Sequence, residues 1–313
     1  MRFFWGVIFV GIMGWCSHIS ALNTAHVAIG QIVEHPALDT LRTSLKEGLE
    51  KAGFVEGHGL KWTYENAQGN PTTAVQISHK LISLQPSVIV TLSTPMSQAV
   101  ASATTTIPLV FGAVTDPEAA KLTNHANITG LTDFVPPEKQ IALIQKIIPK
   151  IKTLGVIFNA GEVNSQKQVE GIKAACDRVG IKVIEATASK TSDVPSAIKT
   201  LVGRCEAVLL PTDNTVVSAL ESILKITNST KTHVFGSDVD IVRRGAVAAY
   251  GVDWHESGLA LARIVESLLK GQSIETLPIQ NPQKLDLHLN RTAAQKMDIS
   301  IPEEVQKTAD KVF

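Results

Sequence analysis

The sequence predicts an α/β protein with two Rossmann-like lobes, each built on a parallel sheet and joined to the other by a multi-strand hinge. From His26 onward, short apolar runs alternate with longer segments of helical periodicity, which is typical of parallel strands connected by helices. This alternation occurs twice along the chain. The length of 313 residues also suits two domains rather than one.

The first half of the chain contains the first set of predicted elements. Apolar runs predict strands at residues 26–32, 60–65, 88–92 and 109–111. Helical periodicity predicts helices at residues 36–52, 73–84 and 95–104. Pro36 suits a first helical turn and Gly53 suits a helix C-cap, so both are assigned to the framework.

The pattern restarts after Pro136 and Pro137, which interrupt the chain. The second set of predicted strands comprises residues 154–158, 182–185, 207–210 and 233–235. The helices of this half are predicted at residues 138–148, 165–179, 194–202 and 215–227. A closing strand, residues 246–251, leads into a helix at residues 255–270 that stops at Gly271.

The closing strand and helix are most simply returned to the first unit. The N-terminal lobe is then residues 22–134 plus 246–282, and the C-terminal lobe is residues 135–245 plus 283–313. The predicted hinge segments lie near residues 133–136, 244–246 and 280–284.

Residues 1–21 have the pattern of a cleavable signal peptide. Arg2 precedes an apolar stretch, and the small residue Ala21 suits cleavage. The stretch has about 14 residues, fewer than the roughly 20 that cross a bilayer, although a retained anchor is the alternative. Cys16 is a candidate for lipid attachment, but the bulky Trp15 precedes it. We therefore expect cleavage near Ala21 and release as a soluble protein.

Charge and cysteine content narrow the class of partner. Lysine plus arginine equals aspartate plus glutamate, 29 of each, so no basic surface for nucleic acid or anionic lipid is expected. The expected partner is a small molecule or a protein. Outside the leader the cysteines are Cys176 and Cys205, which an oxidising compartment would permit to pair; the alternative is two small buried apolar side chains.

In parallel sheets, ligands bind beyond the carboxyl ends of the strands, which predicts a polar cleft between the lobes. On the first lobe, Ser93 and Thr94 start a helix and offer a receptor for a carboxylate, although plain helix capping is the alternative. The other first-lobe candidates are Gln31, Glu34, Thr115 and Asp116.

On the second lobe, Asp238 directly follows a strand and is predicted to pair with a ligand ammonium group. Asp213 is either a ligand residue or the N-cap of the next helix. Trp254 either stacks on a ligand or covers a lobe edge. The remaining candidates are Glu162, Asn164, Ser165 and Asn214. The first three share one loop and either supply further acceptors or start the next helix.

An enzyme is not expected. Motifs for a nucleophilic serine, a phosphate-binding loop, a zinc protease and a clustered cysteine site are absent, and the 9 histidines lack metal-ligand spacing. His35, His58 and His255 are interpreted as surface or capping residues. No cofactor and no metal are predicted.

A series of short motifs in order carries a family resemblance. The motifs are QIVEHP (31–36), GFVEG (53–57), NAQG (66–69), STP (93–95), TDP (115–117), NITG (127–130), GEVNS (161–165), PTDN (211–214) and SD (237–238). Together they resemble the ABC-transporter substrate-binding family that includes tryptophan- and phenylalanine-type binding proteins. The resemblance covers residues 25–271. One departure is at residues 159–165, where NAGEVNS replaces the usual NPGEANS.

The resemblance implies a type I periplasmic binding protein fold with an amino acid, particularly an aromatic one, held between the lobes. It also implies a periplasmic monomer that delivers its ligand to an ABC permease in the inner membrane. A periplasmic subunit that senses its ligand for a membrane receptor is the alternative. A repressor of the same fold would need a helix-turn-helix ahead of the first lobe, where this chain has its hydrophobic leader.

Overall fold

The computed structural model describes residues 24–313, so the predicted signal peptide and Cys16 lie outside the described residues. The strands are β1 (Ala25–Gln31), β2 (Val55–Glu56), β3 (Gly59–Asn66), β4 (Val88–Leu92), β5 (Leu109–Val114), β6 (Ile128–Thr132), β7 (Thr153–Phe158), β8 (Lys182–Thr187), β9 (Ala207–Leu210), β10 (His233–Gly236), β11 (Ala248–Gly251), β12 (Asp286–Leu289) and β13 (Lys311–Val312). The helices are α1 (Pro36–Lys51), α2 (Pro71–Ser83), α3 (Thr94–Ala101), α4 (Pro137–Ile147), α5 (Val163–Arg178), α6 (Val194–Lys199), α7 (Asn214–Val217), α8 (Leu220–Ser229), α9 (Asp240–Arg244), α10 (Trp254–Leu269), α11 (Arg291–Lys296) and α12 (Glu303–Lys307).

Two separate sheets form the centres of two lobes, as predicted. The first sheet has six parallel strands in the order β2-β3-β1-β4-β5-β6. The second has seven strands in the order β13-β12-β11-β10-β9-β7-β8. Its pairs are parallel except for β11 and β12, which are antiparallel. Helices cover both faces of each sheet, and the central strands, such as β4 and β9, are therefore buried on both faces.

The closing strand corrects one sequence prediction. Strand β11 pairs with β10 and β12, so it belongs to the second sheet and not to the first unit. The chain returns to the first lobe at Val252, whose side chain joins the first-lobe core, and α10 then packs along α1. Ala248 and Ala249 are buried and small, and such residues do not indicate which sheet a strand joins. The predicted hinge crossing near residues 244–246 is therefore wrong, and the crossing lies at residues 252–253.

Two other chain segments run side by side where the remaining crossings are predicted. The Thr132 backbone N–H donates to the Gln280 carbonyl at 2.9 Å. The Thr132 hydroxyl donates to the Asn281 side chain at 2.8 Å. These bonds hold the end of β6 against the segment that leads from α10 back into the second lobe.

The two cysteines are free and buried. Cys176 lies in the core on one face of the second sheet, and Cys205 lies in the core on the other face. Burial raises the pKa of the Cys176 thiol to about 11. Both side chains therefore act as small apolar groups, and the pairing that an oxidising compartment would permit is not formed.

Gly130 in β6 sets the spacing between β6 and β5. A Cβ atom at this position would lie 2.2 Å from the Phe111 carbonyl oxygen and 2.6 Å from the Phe111 ring. We expect Gly130→Ala to lower the free energy of unfolding by about 1–3 kcal/mol, because a buried strand has to move. Urea denaturation measures this loss. Gly203→Ala is a control for added volume, since a Cβ there meets nothing within 4 Å, although its positive φ carries its own smaller cost.

Within residues 24–313, no helix combines the length and the apolar character needed to cross a bilayer.

Candidate functional site

The carboxyl ends of the strands of both sheets face each other across a cleft. Its inner part, near the hinge, is a cavity of about 20 Å³, which is room for about one water molecule. The residues that line this inner cavity are His35, Leu38, Ala113, Asp133, Asn164, Thr212, Asp213, Asn214, Val217, Asp238 and Trp254. Its outer part is a groove of about 1010 Å³ that is also lined by both lobes. Asn214 lines the inner cavity and the outer groove, so the two are adjacent.

The first lobe presents buried hydroxyls at its strand ends. Ser93, Thr94 and Thr115 are at most 3% exposed. Among the described residues, none of their hydroxyl oxygens has a hydrogen-bond partner. An unpaired buried hydroxyl costs about 1–3 kcal/mol, so three of them at the ends of the neighbouring strands β4 and β5 indicate a place where a ligand supplies the partners. Pro95, which follows Thr94, lines the outer groove.

The backbone of Ser93 has a strained conformation at the start of α3. Its φ angle is 90°, in the left-handed region that residues other than glycine rarely adopt. Thr94 is the first residue of α3, so free backbone N–H groups lie at the same point. The two residues thus combine hydroxyls with a helix N-terminus, which is an arrangement that favours an anion.

Three first-lobe candidates are placed in the framework or on the surface. Gln31 is buried, donates to the Val33 carbonyl at 2.8 Å and to Asp39 at 2.9 Å, and so fixes the loop after β1. Asp116 accepts a bond from the Ala119 backbone N–H at 2.9 Å. Glu34 is exposed. The structure therefore does not bring these three side chains to the inner cavity.

On the second lobe, Asp213 organises the loop after β9. One carboxylate oxygen accepts from the Asn159 backbone N–H and from the Ser165 hydroxyl, both at 2.6 Å. The other accepts from the Val216 backbone N–H at 2.7 Å, which caps α7. Burial and the neighbouring Glu162 raise the pKa of Asp213 to about 7. Ser165 therefore donates its hydroxyl hydrogen bond to Asp213 and lines neither part of the cleft.

Glu162 fastens the start of α5 to the start of α7. Its carboxylate accepts from the Asn214 side chain at 2.6 Å and from the Thr215 hydroxyl at 2.8 Å. The Asn164 amide donates to the Thr212 carbonyl at 2.8 Å, whereas its own side-chain oxygen is buried without a partner. The Asn164 side-chain oxygen therefore remains available to a ligand, while Glu162 positions Asn164 and Asn214.

Asp238 and Trp254 form a contact between the lobes. The Trp254 indole N–H donates to Asp238 at 3.0 Å, and Trp254 belongs to the first-lobe core. The same Asp238 oxygen accepts from the Asp240 backbone N–H at 2.9 Å. Burial raises the pKa of Asp238. Trp254 therefore walls the cavity and joins the two lobes at the hinge.

Two cavity residues were not among the sequence candidates. Asp133 is 2% exposed, and neither of its carboxylate oxygens has a hydrogen-bond partner among the described residues. Burial raises its pKa to about 6. Asp133 follows β6, a strand that the sequence analysis did not predict, so the rule of strand ends could not be applied to it. If residues 128–132 had been predicted as a strand, Asp133 would have been a candidate, because it directly follows them.

His35 is the second missed residue, because it was interpreted as a surface or capping residue. It lines the cavity and faces Asn214 of the second lobe, and its Nδ1 atom is buried without a partner among the described residues. Burial lowers the pKa of His35 to about 4, so the ring is neutral at pH 7. Within residues 24–313, no three or more His, Cys, Asp or Glu side chains are arranged so that they could hold a metal ion.

A family model for the ABC transporter substrate binding protein matches residues 26–313. The chain belongs to this family. A tyrosine-binding protein of Clostridioides difficile is 30% identical to it, over 94% of this chain and 90% of the relative. A conserved domain protein of Vibrio cholerae is 42% identical, covers 93% of this chain and all of its own, and superposes with a TM-score of 0.90.

Two further solved structures superpose on this chain to different degrees. An ABC domain of Streptococcus pneumoniae in complex with L-Trp is 29% identical and has a TM-score of 0.89, with 93% of this chain and 100% of that chain covered. A ligand-free, open substrate binding protein of Clostridium difficile is 32% identical but has a TM-score of 0.68, with 92% and 99% covered. The structure therefore superposes more closely on the L-Trp complex than on the ligand-free, open protein, which is the result expected for a closed arrangement of the two lobes.

The two-lobed architecture is also found in more distantly related proteins. More distant solute binding proteins, such as one for 5-methylthioribose from Thermotoga lettingae with 15% identity and a TM-score of 0.64, share the type I fold. The predicted fold class, the family and the function as a solute-binding protein are thus confirmed. The family and its structural neighbours are substrate-binding proteins rather than enzymes.

Proposed function

We propose that this chain is the periplasmic subunit of an ABC importer that closes on an aromatic amino acid and catalyses no reaction. The observation that carries the proposal is the inner cavity, where the buried Asp133 carboxylate of one lobe and the unpartnered Asn164 side-chain oxygen of the other lobe meet. The unpartnered hydroxyls of Ser93, Thr94 and Thr115 lie at the strand ends of the first lobe. The C. difficile tyrosine-binding protein and the S. pneumoniae L-Trp complex support this ligand class.

The cleft offers a separate place for each part of such a ligand. The carboxylate binds Ser93 and Thr94 at the start of α3, where hydroxyls and a helix N-terminus coincide. The ring lies in the outer groove, where Ile32, Val75 and Pro95 supply apolar surface. The ammonium group enters the inner cavity, whose volume suits a group about the size of a water molecule.

Transport follows from contacts to both lobes. A ligand that binds only one lobe does not shift the equilibrium between open and closed forms, whereas one that binds both favours the closed form. The moving units are residues 24–134 with α10 and residues 135–251 with the C-terminal segment, a division modified from the sequence prediction by the position of β11. The closed monomer docks on the permease after removal of the signal peptide.

A panel of amino acids tests this proposal. We expect L-tyrosine, L-tryptophan or L-phenylalanine to raise the melting temperature, and the same compound to appear as a bound mass in native mass spectrometry. Thr94→Val should weaken binding about tenfold, because one hydrogen bond to a charged group contributes about 1.5 kcal/mol.

Glu34→Gln is the matched control, since Glu34 is exposed and lines neither part of the cleft. A wild-type protein that no amino acid stabilises would contradict the proposal. Equal losses in both variants would contradict the placement of the carboxylate.

A further inference from the structure

The inner cavity is acidic and has no basic counterpart. Asp133, Asp213 and Asp238 line it, and no lysine or arginine does so among the described residues. His35, the remaining titratable residue of the lining, has a pKa lowered to about 4 by burial and is neutral at pH 7. Carboxyls buried together without a cation are costly, so the cavity is electrostatically suited to a positively charged group.

The three carboxyls are not equivalent. Both oxygens of Asp213 accept hydrogen bonds from the protein. One oxygen of Asp238 accepts from Trp254 and from the Asp240 backbone. Neither oxygen of Asp133 accepts a hydrogen bond of good geometry from the described residues, although both are buried and the Thr115 hydroxyl lies close enough to lower the pKa of the carboxyl. Asp133 is therefore the carboxylate with free acceptor positions.

The charged groups around Asp133 do not supply a counter-ion. Asp238 faces it from the second lobe and, with burial, favours the protonated form of Asp133. The nearby Thr115 hydroxyl acts in the opposite direction. Arg244 influences Asp238 and His35, but its guanidinium is bound to Glu221 by bonds of 2.9 and 2.6 Å.

We propose that Asp133 binds the ammonium group of the ligand and that Asp238, from the opposite lobe, faces the same group, so that recognition of an amine draws the lobes together. The inference rests on the proposed function and assigns its ammonium site. It replaces the sequence expectation that Asp238 alone pairs with the ammonium, because Asp238 already accepts bonds from Trp254 and Asp240. Ligands without a primary amine are excluded by the resulting unpaired carboxylate.

A cycle that changes both the protein and the ligand tests this assignment. Isothermal titration calorimetry would compare wild type and Asp133→Asn with three probes: L-tyrosine, 3-(4-hydroxyphenyl)propionate, which lacks the amine, and tyramine, which lacks the carboxylate. We expect Asp133→Asn to weaken L-tyrosine about 100-fold and to weaken tyramine similarly. Its affinity for the deaminated compound should stay the same or increase.

Asp116→Asn is the matched control. Asp116 follows Thr115 in the neighbouring loop, bonds a backbone N–H and does not line the inner cavity. We expect it to leave all three affinities within a few fold. Equal losses for L-tyrosine and for the deaminated compound in Asp133→Asn would overturn the assignment, as would no loss at all. A melting curve of each variant distinguishes lost contacts from lost folding.

The outcomes separate this inference from the proposed function. If amino acids bind and Asp133→Asn does not discriminate by the amine, the inference fails and the function stands. If tyramine binds in an Asp133-dependent way but no amino acid binds, the function fails and the inference stands. Binding of neither class to the wild-type protein rejects both.

Discussion

Ligand-free Asp133→Asn should have a ratio of closed to open molecules about 100-fold higher than that of the wild-type protein at pH 7.5. In the closed structure, burial raises the pKa of Asp133 to about 6. In an open form, where water reaches the carboxyl, we expect its pKa to return towards 3.8. The closed form therefore binds the proton more tightly, and closing at pH 7.5 costs about 3 kcal/mol. Asparagine removes this cost.

The pH window follows from the direction of this pKa shift. Below about pH 4, both forms hold the proton and the carboxyl adds no cost. The cost appears as the pH rises from about 4 to about 6 and is constant above that. His35 changes the free energy of closing in the opposite direction. Its pKa is lowered to about 4 in the closed form, so acid favours the open form, in which water reaches the ring. Comparing the variant with wild type at each pH cancels the contribution of His35.

Small-angle X-ray scattering measures the effect through the radius of gyration. We expect a smaller radius for ligand-free Asp133→Asn than for wild type at pH 7.5, and nearly equal radii at pH 4. Asp116→Asn should match wild type at both values. A difference of equal size at pH 4 and pH 7.5 would mean that charge burial at Asp133 does not oppose closure.

Asp213→Ala should abolish ligand binding and lower the free energy of unfolding by about 3 kcal/mol. The substitution leaves the Asn159 N–H, the Val216 N–H and the Ser165 hydroxyl without their acceptor. Each buried unpaired donor costs about 1–3 kcal/mol, and the relief of burying an acid offsets part of the total. The loops after β7 and β9 lose their connection, so Asn164 and Asn214 lose their positions.

Urea denaturation and a ligand titration together check this prediction. Asp116→Ala is the control, because Asp116 caps a single backbone N–H at a half-buried site and should cost about 1 kcal/mol without loss of binding. A stable Asp213→Ala protein that still binds its ligand would show that the loop is held by other contacts.

Most of the architecture follows from the period of the apolar residues. Alternating apolar runs and helical stripes locate the strands and helices of both lobes, since buried parallel strands and amphipathic helices differ in length and period. Strand β6 was missed because its sequence, ITGLT, is short and contains threonine and glycine, which are also common in turns. Strands β12 and β13 were missed because they are short elements at the edge of the second sheet.

The ends of the predicted strands locate the candidate site, but they do not show which acidic side chains at the site have oxygens free to bind a ligand. Asp133, Asp213 and Asp238 are all acids that follow strands, and their different hydrogen bonding depends on neighbours far away in the sequence. Asp213 meets Asn159 and Asp238 meets Trp254 only after the chain has folded. A local pattern therefore indicates that an acid lies at the cleft but not whether its oxygens are free.

The path of the chain between the lobes also determines when each lobe can be completed during synthesis. The first lobe is complete only after α10 has been synthesised, because α10 packs on α1 although the two helices are separated by more than half of the chain. The second sheet is complete only after β12 and β13, near the C-terminus, have been synthesised. Domains usually fold as units while the chain emerges from the ribosome. Here neither unit is contiguous, so we expect the nascent polypeptide to stay largely unfolded until translation is nearly finished.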